Sequence, residues 1–278
     1  MMLKSKELFG RWRNSAAGKI SVILFIVSIV LLILACSPWG NFSERVANNI
    51  NNILFGLATN LLGIIVTVSF VQYFIDKQDA RMEEREEKAQ ILRYNRLMSV
   101  LVQRYKMYFY CVVTPMEMRA QKDINALDEN FNFEDMCDLH EQSLYICDGC
   151  AESSIALLYK AENRVREYMV RMLESVQFKY NEELKNVIVE FVEKSYVYDV
   201  REGILGNEKL YAGQKKISEM AKDAIADVSY NWIEKVNNGE VKSNIIVPYV
   251  QLYELLREEI QILERYTNYI TKIENEEI

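Results

Sequence analysis

The chain has 278 residues, half of them apolar and 26% charged, with a formal net charge of −7; a wholly disordered chain is excluded. Ten glycines and three prolines are too few for the turns of a β-sandwich or barrel. A single histidine, His140, rules out two-histidine metalloprotease sites, and neither a G-x-x-x-x-G-K-[ST] nor a G-x-G-x-x-G phosphate cradle occurs.

In chain order, residues 1–19 are basic (Lys4, Lys6, Arg11, Arg13 and Lys19 against Glu7). They read either as a short amphipathic helix on the inner leaflet or as a topology signal. Ile20 to Cys36 is an apolar run broken only by Ser21 and Ser28, and Ile53 to Ile75 is a second. Each approaches the roughly 20 residues a helix needs to cross the hydrocarbon of a bilayer. Ile33-Leu34-Ala35-Cys36 also has the look of a lipoprotein cleavage site. Leu34 is large for that position, however, and a second membrane run follows at once. The link between the runs carries only Arg45 with Glu44, whereas Lys77, Arg81, Arg85, Lys88, Arg93 and Arg96 follow the second run. Lysine and arginine collect on the cytoplasmic side, so both termini are expected there, with Trp39 anchoring the outer link.

The second run continues into helix-forming sequence without a breaker until Thr114-Pro115. Ile91, Tyr94, Met98, Leu101, Tyr105, Tyr108 and Val112 alternate in steps of three and four, an a/d seam. The spacing predicts a helical stalk over 76–114. Its seam serves either as an oligomer contact or as an amphipathic face docked on the chain's own domain. Residues 115–278 read as all-α: a loop over 122–132, then helices near Phe133–Ile146, Ser153–Phe178, Asn181–Val200, Glu208–Asn237 and Pro248–Ile273. Gly203, Gly206 and Asn238-Gly239 punctuate them. The chain thus divides into a hairpin (1–75), a stalk and an all-α domain. Residues 76–278 carry about −11, which argues against general nucleic-acid binding. The five cysteines lie mostly on the expected cytoplasmic side, where thiols stay reduced.

Three constellations stand out. Gly56, Asn60, Gly63 and Thr67, spaced four, three and four, form one stripe of small and polar residues in the second membrane run. Such a stripe suits a pore wall built by several copies, or close helix packing. Cys137, His140, Cys147 and Cys150 bring three thiols and the only imidazole within 14 residues, a zinc-like ligand set, or else ordinary helix residues. Lys160, Arg164, Arg166 and Arg171, interleaved with tyrosines, place positive charge on an acidic domain. They read as a phosphate-binding patch or as a solvated face paired with Glu162, Glu167 and Glu174. No catalytic set survives the census, so an enzyme is not expected.

The run Asn60-Leu61-Leu62-Gly63-Ile64-Ile65-Val66-Thr67, leading through Phe74-Ile75-Asp76-Lys77 into charged Arg81 to Lys88, lies in a layout of two membrane helices, a tiny outer loop and a helical tail. Over about residues 15–115 this layout resembles the two-transmembrane, SLATT-like effectors of bacterial anti-phage defence. Within them it looks most like the membrane subunit that Hailong-type systems pair with a nucleotidyltransferase. The resemblance implies a homo-oligomeric channel that depolarises the cell and is gated by a nucleotide or oligonucleotide from the partner enzyme. A membrane-anchored sensor or scaffold without a pore is the alternative.

Overall fold

A computed structural model describes residues 16–38, 43–120, 130–143, 152–197 and 200–277. Among them the fold is all-α, with eight α-helices and one two-residue β-hairpin. They fall into two compact units, Met1–Glu86 and Glu87–Ile278. Residues 1–15 of the basic N-terminal stretch and Trp39 lie outside the described residues.

The first unit holds α1 (Ala16–Ala35) and the beginning of α2 (Glu44–Val112). Both helices are long and apolar enough to cross a membrane. Their outward side chains are open: Ile33 is 62% exposed, Ile53 63%, Val66 64% and Phe70 64%. The buried positions of α1 are small: Gly18, Ser21, Ser28 and Ala35. The last three repeat every seven residues and draw one line along the helix. Small side chains let two backbones approach closely, and Ser28 Oγ donates to Ala58 O of α2 at 2.9 Å.

The second unit begins inside the same α2. Four further long or medium helices build its core with it: α3 (Ser154–Ser175), α4 (Glu182–Val197), α6 (Ile217–Ala226) and α8 (Val247–Glu277). Short α5 (Arg201–Asn207) and α7 (Trp232–Asn237) complete it. The pairs Lys88–Glu276, Asn95–Tyr266 and Tyr105–Glu259 run in opposite order, so α2 and α8 are antiparallel. Glu190–Arg265 and Lys194–Glu258 show the same for α4 and α8. The core is continuous through Met98, Phe109, Leu158, Met169, Phe191, Leu256 and Leu263.

Two expected helices take other forms. Where a helix over Phe133–Ile146 is expected, the described residues 133–143 hold one 3-10 turn, Phe133–Met136, opened by a reciprocal cap between Asn132 and Asp135, and residues 144–146 lie outside the described residues. Beyond it the buried Arg119 guanidinium takes Asp138 O at 3.1 Å and Gln142 O at 2.8 Å, carbonyls an α-helix would have needed. The expected helix Glu208–Asn237 is broken twice. Tyr211–Ala212 pairs with Lys215–Lys216 around Gly213, whose φ of +70° only glycine adopts freely. Asp227 then accepts from Ser229 N at 3.0 Å, and Asn231 caps α7 by accepting from Glu234 N. Gly203 and Gly206, read as punctuation, sit inside α5, which Ile204 pins to the core.

Candidate functional site

The hairpin has two contrasting faces. At about 100° per residue, Gly56, Asn60, Gly63 and Thr67 fall within one narrow sector, and the buried Ala58 lies roughly 180° away. The stripe therefore takes no part in the contact with α1. Asn60, Gly63 and Thr67 are exposed, and a Cβ added at Gly56 or Gly63 would meet nothing within 4 Å. Thr67 Oγ1 donates to Gly63 O at 3.0 Å, the ordinary resting place of a helical threonine. The Asn60 carboxamide has no partner among the described residues. Composition could not tell which small residues pack within the hairpin; Ser21, Ser28 and Ala58 do so, and the heptad spacing of Ser21, Ser28 and Ala35 was the available signal.

The a/d seam of α2 is an intrachain surface. Ile91, Met98 and Tyr105 have no solvent exposure within the single chain, and Tyr94, Leu101 and Tyr108 pack half-buried on the same core. For Ile91, Met98 and Tyr105 this corrects the oligomer-seam reading, since a side chain fully enclosed by its own domain has no surface left for a second copy; Tyr94, Leu101 and Tyr108 keep part of theirs. The seam is aromatic because it meets several helices. Tyr105 stacks on Phe109 and meets Phe191 of α4 edge-on, with centroids 6.0 and 6.5 Å apart.

Helix α2 enters the second unit with Glu87, a buried carboxylate that accepts from Lys179 N at 2.6 Å, Tyr180 N at 3.0 Å and Asn181 Nδ2 at 2.7 Å. Asn181 Oδ1 in turn accepts from Tyr269 Oη of α8 at 3.2 Å. One side chain of α2 thus ties the start of α4 and the end of α8 together. Neighbouring glutamates and lysines give Glu87 no distinguishing pattern in the sequence.

The basic set on α3 separates. Arg166 turns inward, pairs with Glu162 and donates to Ser195 O at 3.1 Å, with its guanidinium 4.5 Å from the Tyr196 ring centroid. Arg201 of α5 completes the arrangement on Glu162. Lys160, Arg164 and Arg171 share the opposite, outer face, where Lys160 pairs with Glu152 at 2.5 Å. Arg164 and Arg171 are thus exposed, Lys160 is exposed but paired with Glu152, and Arg166 is structural.

His140 sits in a hydrogen-bonded line. Its Nδ1 meets Glu208 Oε1 at 2.9 Å and its Nε2 meets Tyr249 Oη at 2.8 Å. Asn207 Nδ2 donates to the same Tyr249 oxygen at 3.0 Å, and Ser153 Oγ donates to Glu208 at 2.5 Å. A neutral ring protonated at Nδ1 satisfies every member: Nδ1–H donates to Glu208 and the Tyr249 O–H donates to Nε2. Burial pushes the Glu208 carboxyl up, but the bonds from His140 and Ser153 outweigh it and hold it below the ordinary range. Burial raises the Tyr249 phenol to about 12. Both imidazole nitrogens are thereby engaged, and Cys137, half-buried with its thiol pushed up by burial, is not brought to them as a co-ligand. Cys147 and Cys150 lie outside the described residues. Among the described residues no cluster of His, Cys, Asp and Glu is arranged to hold a metal ion.

No protein family, curated protein or solved structure matches the chain.

Proposed function

We propose that the chain is an oligomeric effector of a bacterial inner membrane, with both termini in the cytoplasm. Its hairpins associate through the Gly56–Asn60–Gly63–Thr67 stripe into a gated conduit, and the second unit is the cytoplasmic part that controls it. One observation carries the reading: the stripe faces away from α1, and its most polar member, Asn60, has no hydrogen-bond partner among the described residues. A carboxamide left against hydrocarbon forfeits its hydrogen bonds, so the stripe requires another helix or water. Copies meeting along glycines would approach closely, with Asn60 and Thr67 wetting the space between them. The Lys160, Arg164 and Arg171 face offers a surface for an anionic, nucleotide-type effector or a partner enzyme. Depolarisation as an anti-phage response is the biological role we assign to this conduit.

The test is membrane-potential dye fluorescence in cells expressing the chain with its native gene neighbours under phage challenge. Wild type should depolarise the cell. Asn60→Leu should insert normally, since leucine suits a membrane helix, and should depolarise far less because the conduit dewets. Depolarisation unaffected by Asn60→Leu and Thr67→Leu would remove the stripe as the wall. No depolarisation by wild type under any challenge would leave the hairpin as an anchor for a sensor.

A further inference from the structure

One polar contact of helix α2 with α8 has both side chains fully enclosed. Tyr105, with no solvent exposure, donates its phenol O–H to Glu259 Oε2 of α8 at 2.5 Å. Glu259 is equally enclosed, and its other oxygen, Oε1, has no hydrogen-bond partner among the described residues. The guanidiniums of the cluster are engaged elsewhere. Arg201 is held by Glu162 of α3 and donates to Ser195 O of α4 at 3.0 Å, while Arg166 donates to that same carbonyl and to Asn163. Tyr159 of α3 brings a second enclosed phenol whose oxygen also has no partner among the described residues. On the adjoining turn of α8, Glu258 is held by Lys194 of α4 at 2.8 Å.

A carboxylate offers two oxygens and about four acceptor positions. Among the described residues a single donor reaches Glu259, and a second carboxylate, Glu162, shares the enclosed space. A neutral acid is therefore the better occupant. We propose that Glu259 is a proton-controlled latch on helix α2: protonated, it is tolerated in the enclosed contact of α8 with Tyr105, and ionised, its uncompensated burial loosens the stretch of α2 from Tyr105 to Val112. Burial first, then repulsion by Glu162, holds the Glu259 carboxyl well above the usual range, against the opposing pull of Tyr105, Arg201 and Arg166. The folded state thus binds this proton more tightly than the unfolded state does. The stability it contributes is complete below the ordinary glutamate value of 4.5 and is lost as pH rises through the folded value. The latch rests on contacts within the second unit and stands apart from the conduit reading.

Hydrogen–deuterium exchange on the full chain in detergent micelles tests it. Rates are taken from about pH 5 to about pH 9 and divided by the intrinsic exchange rate at each pH. In wild type the opening constant of peptides covering Tyr105 to Val112 should rise about tenfold per pH unit between the ordinary and the folded values of Glu259. Glu259→Gln, neutral throughout, should stay flat. Tyr105→Phe removes a donor that favours the carboxylate, so its rise should extend to higher pH. A flat wild type, or an unchanged slope in Glu259→Gln, overturns the latch. If Glu259→Gln does not fold, Tyr105→Phe decides alone: an extended rise supports the latch and an unshifted one overturns it.

Discussion

Among the described residues of the hairpin the enclosed polar side chains are two serines, Ser21 and Ser28; in the second unit they include Glu87, Arg119, Asp138, Glu162, Arg166 and Glu259. The difference follows from the number of elements at hand. A two-helix unit offers only its own helical carbonyls and small hydroxyls as partners, so a buried charge there would go unmet. Ser28 is satisfied by one carbonyl of the facing helix. In the second unit, groups from α3, α4 and α5 converge on Glu162 and Ser195 O, and only such convergence makes enclosed charge tolerable. The hairpin is thus held by close backbone approach, and the second unit by apolar packing around paired charge.

The largest effect should come from breaking that pairing. Glu162 is 2% exposed and holds both Arg166 and Arg201. Glu162→Ala leaves two guanidiniums enclosed without their counter-charge and should destabilise the second unit by about 3–5 kcal/mol, read by chemical denaturation. A loss within the range of surface pairs, under about 1 kcal/mol, would show that the arginines reach water and that the contrast between the units is smaller than drawn.

Next in size is the seam of α2. Met98 has no exposure and packs within the core of its own unit. Met98→Ala should cost about 2–5 kcal/mol through the lost contacts and the cavity, while the oligomer size in detergent stays that of wild type. A smaller oligomer with unchanged folding stability would return the seam to the subunit interface.

Much of this was legible in the chain itself. The apolar runs, the unbroken helix to Thr114 and the closing helix from Pro248 rest on period and on the absence of breakers, and these signals are local. The hidden features are non-local or hinge on single residues. Gly213 and the Asp227–Ser229 turn interrupt a stretch whose remaining residues favour a helix, so summed propensity misplaces them. The a/d spacing of α2 announces a packed face without naming the partner, and a face that meets several helices of one domain has the same period as one that meets a second copy. Arg166 cannot be told from Arg164 by type. Only its position on the inner face of α3, facing Ser195 and Arg201, makes it structural. His140 joins Glu208 and Tyr249 across 68 and 109 residues, a separation no motif spacing records.

The smallest expected effect tests the hairpin half of the comparison. Ser28→Ala removes the bond to Ala58 O, but that carbonyl remains in its own helical ladder and nothing is left orphaned. Hydrogen bonds between membrane helices are worth about 0.6 kcal/mol on average, because the separated helices find other partners. The loss should therefore be near that value when unfolding is followed in detergent. Thr67→Ala is the matched control: Thr67 Oγ1 bonds only within its own helix, to Gly63 O, on the face turned away from α1. Its removal should leave the contact between α1 and α2 unchanged. A larger loss from Thr67→Ala than from Ser28→Ala would reverse the two faces, making the stripe the surface that holds the hairpin together and leaving Asn60 no outward role.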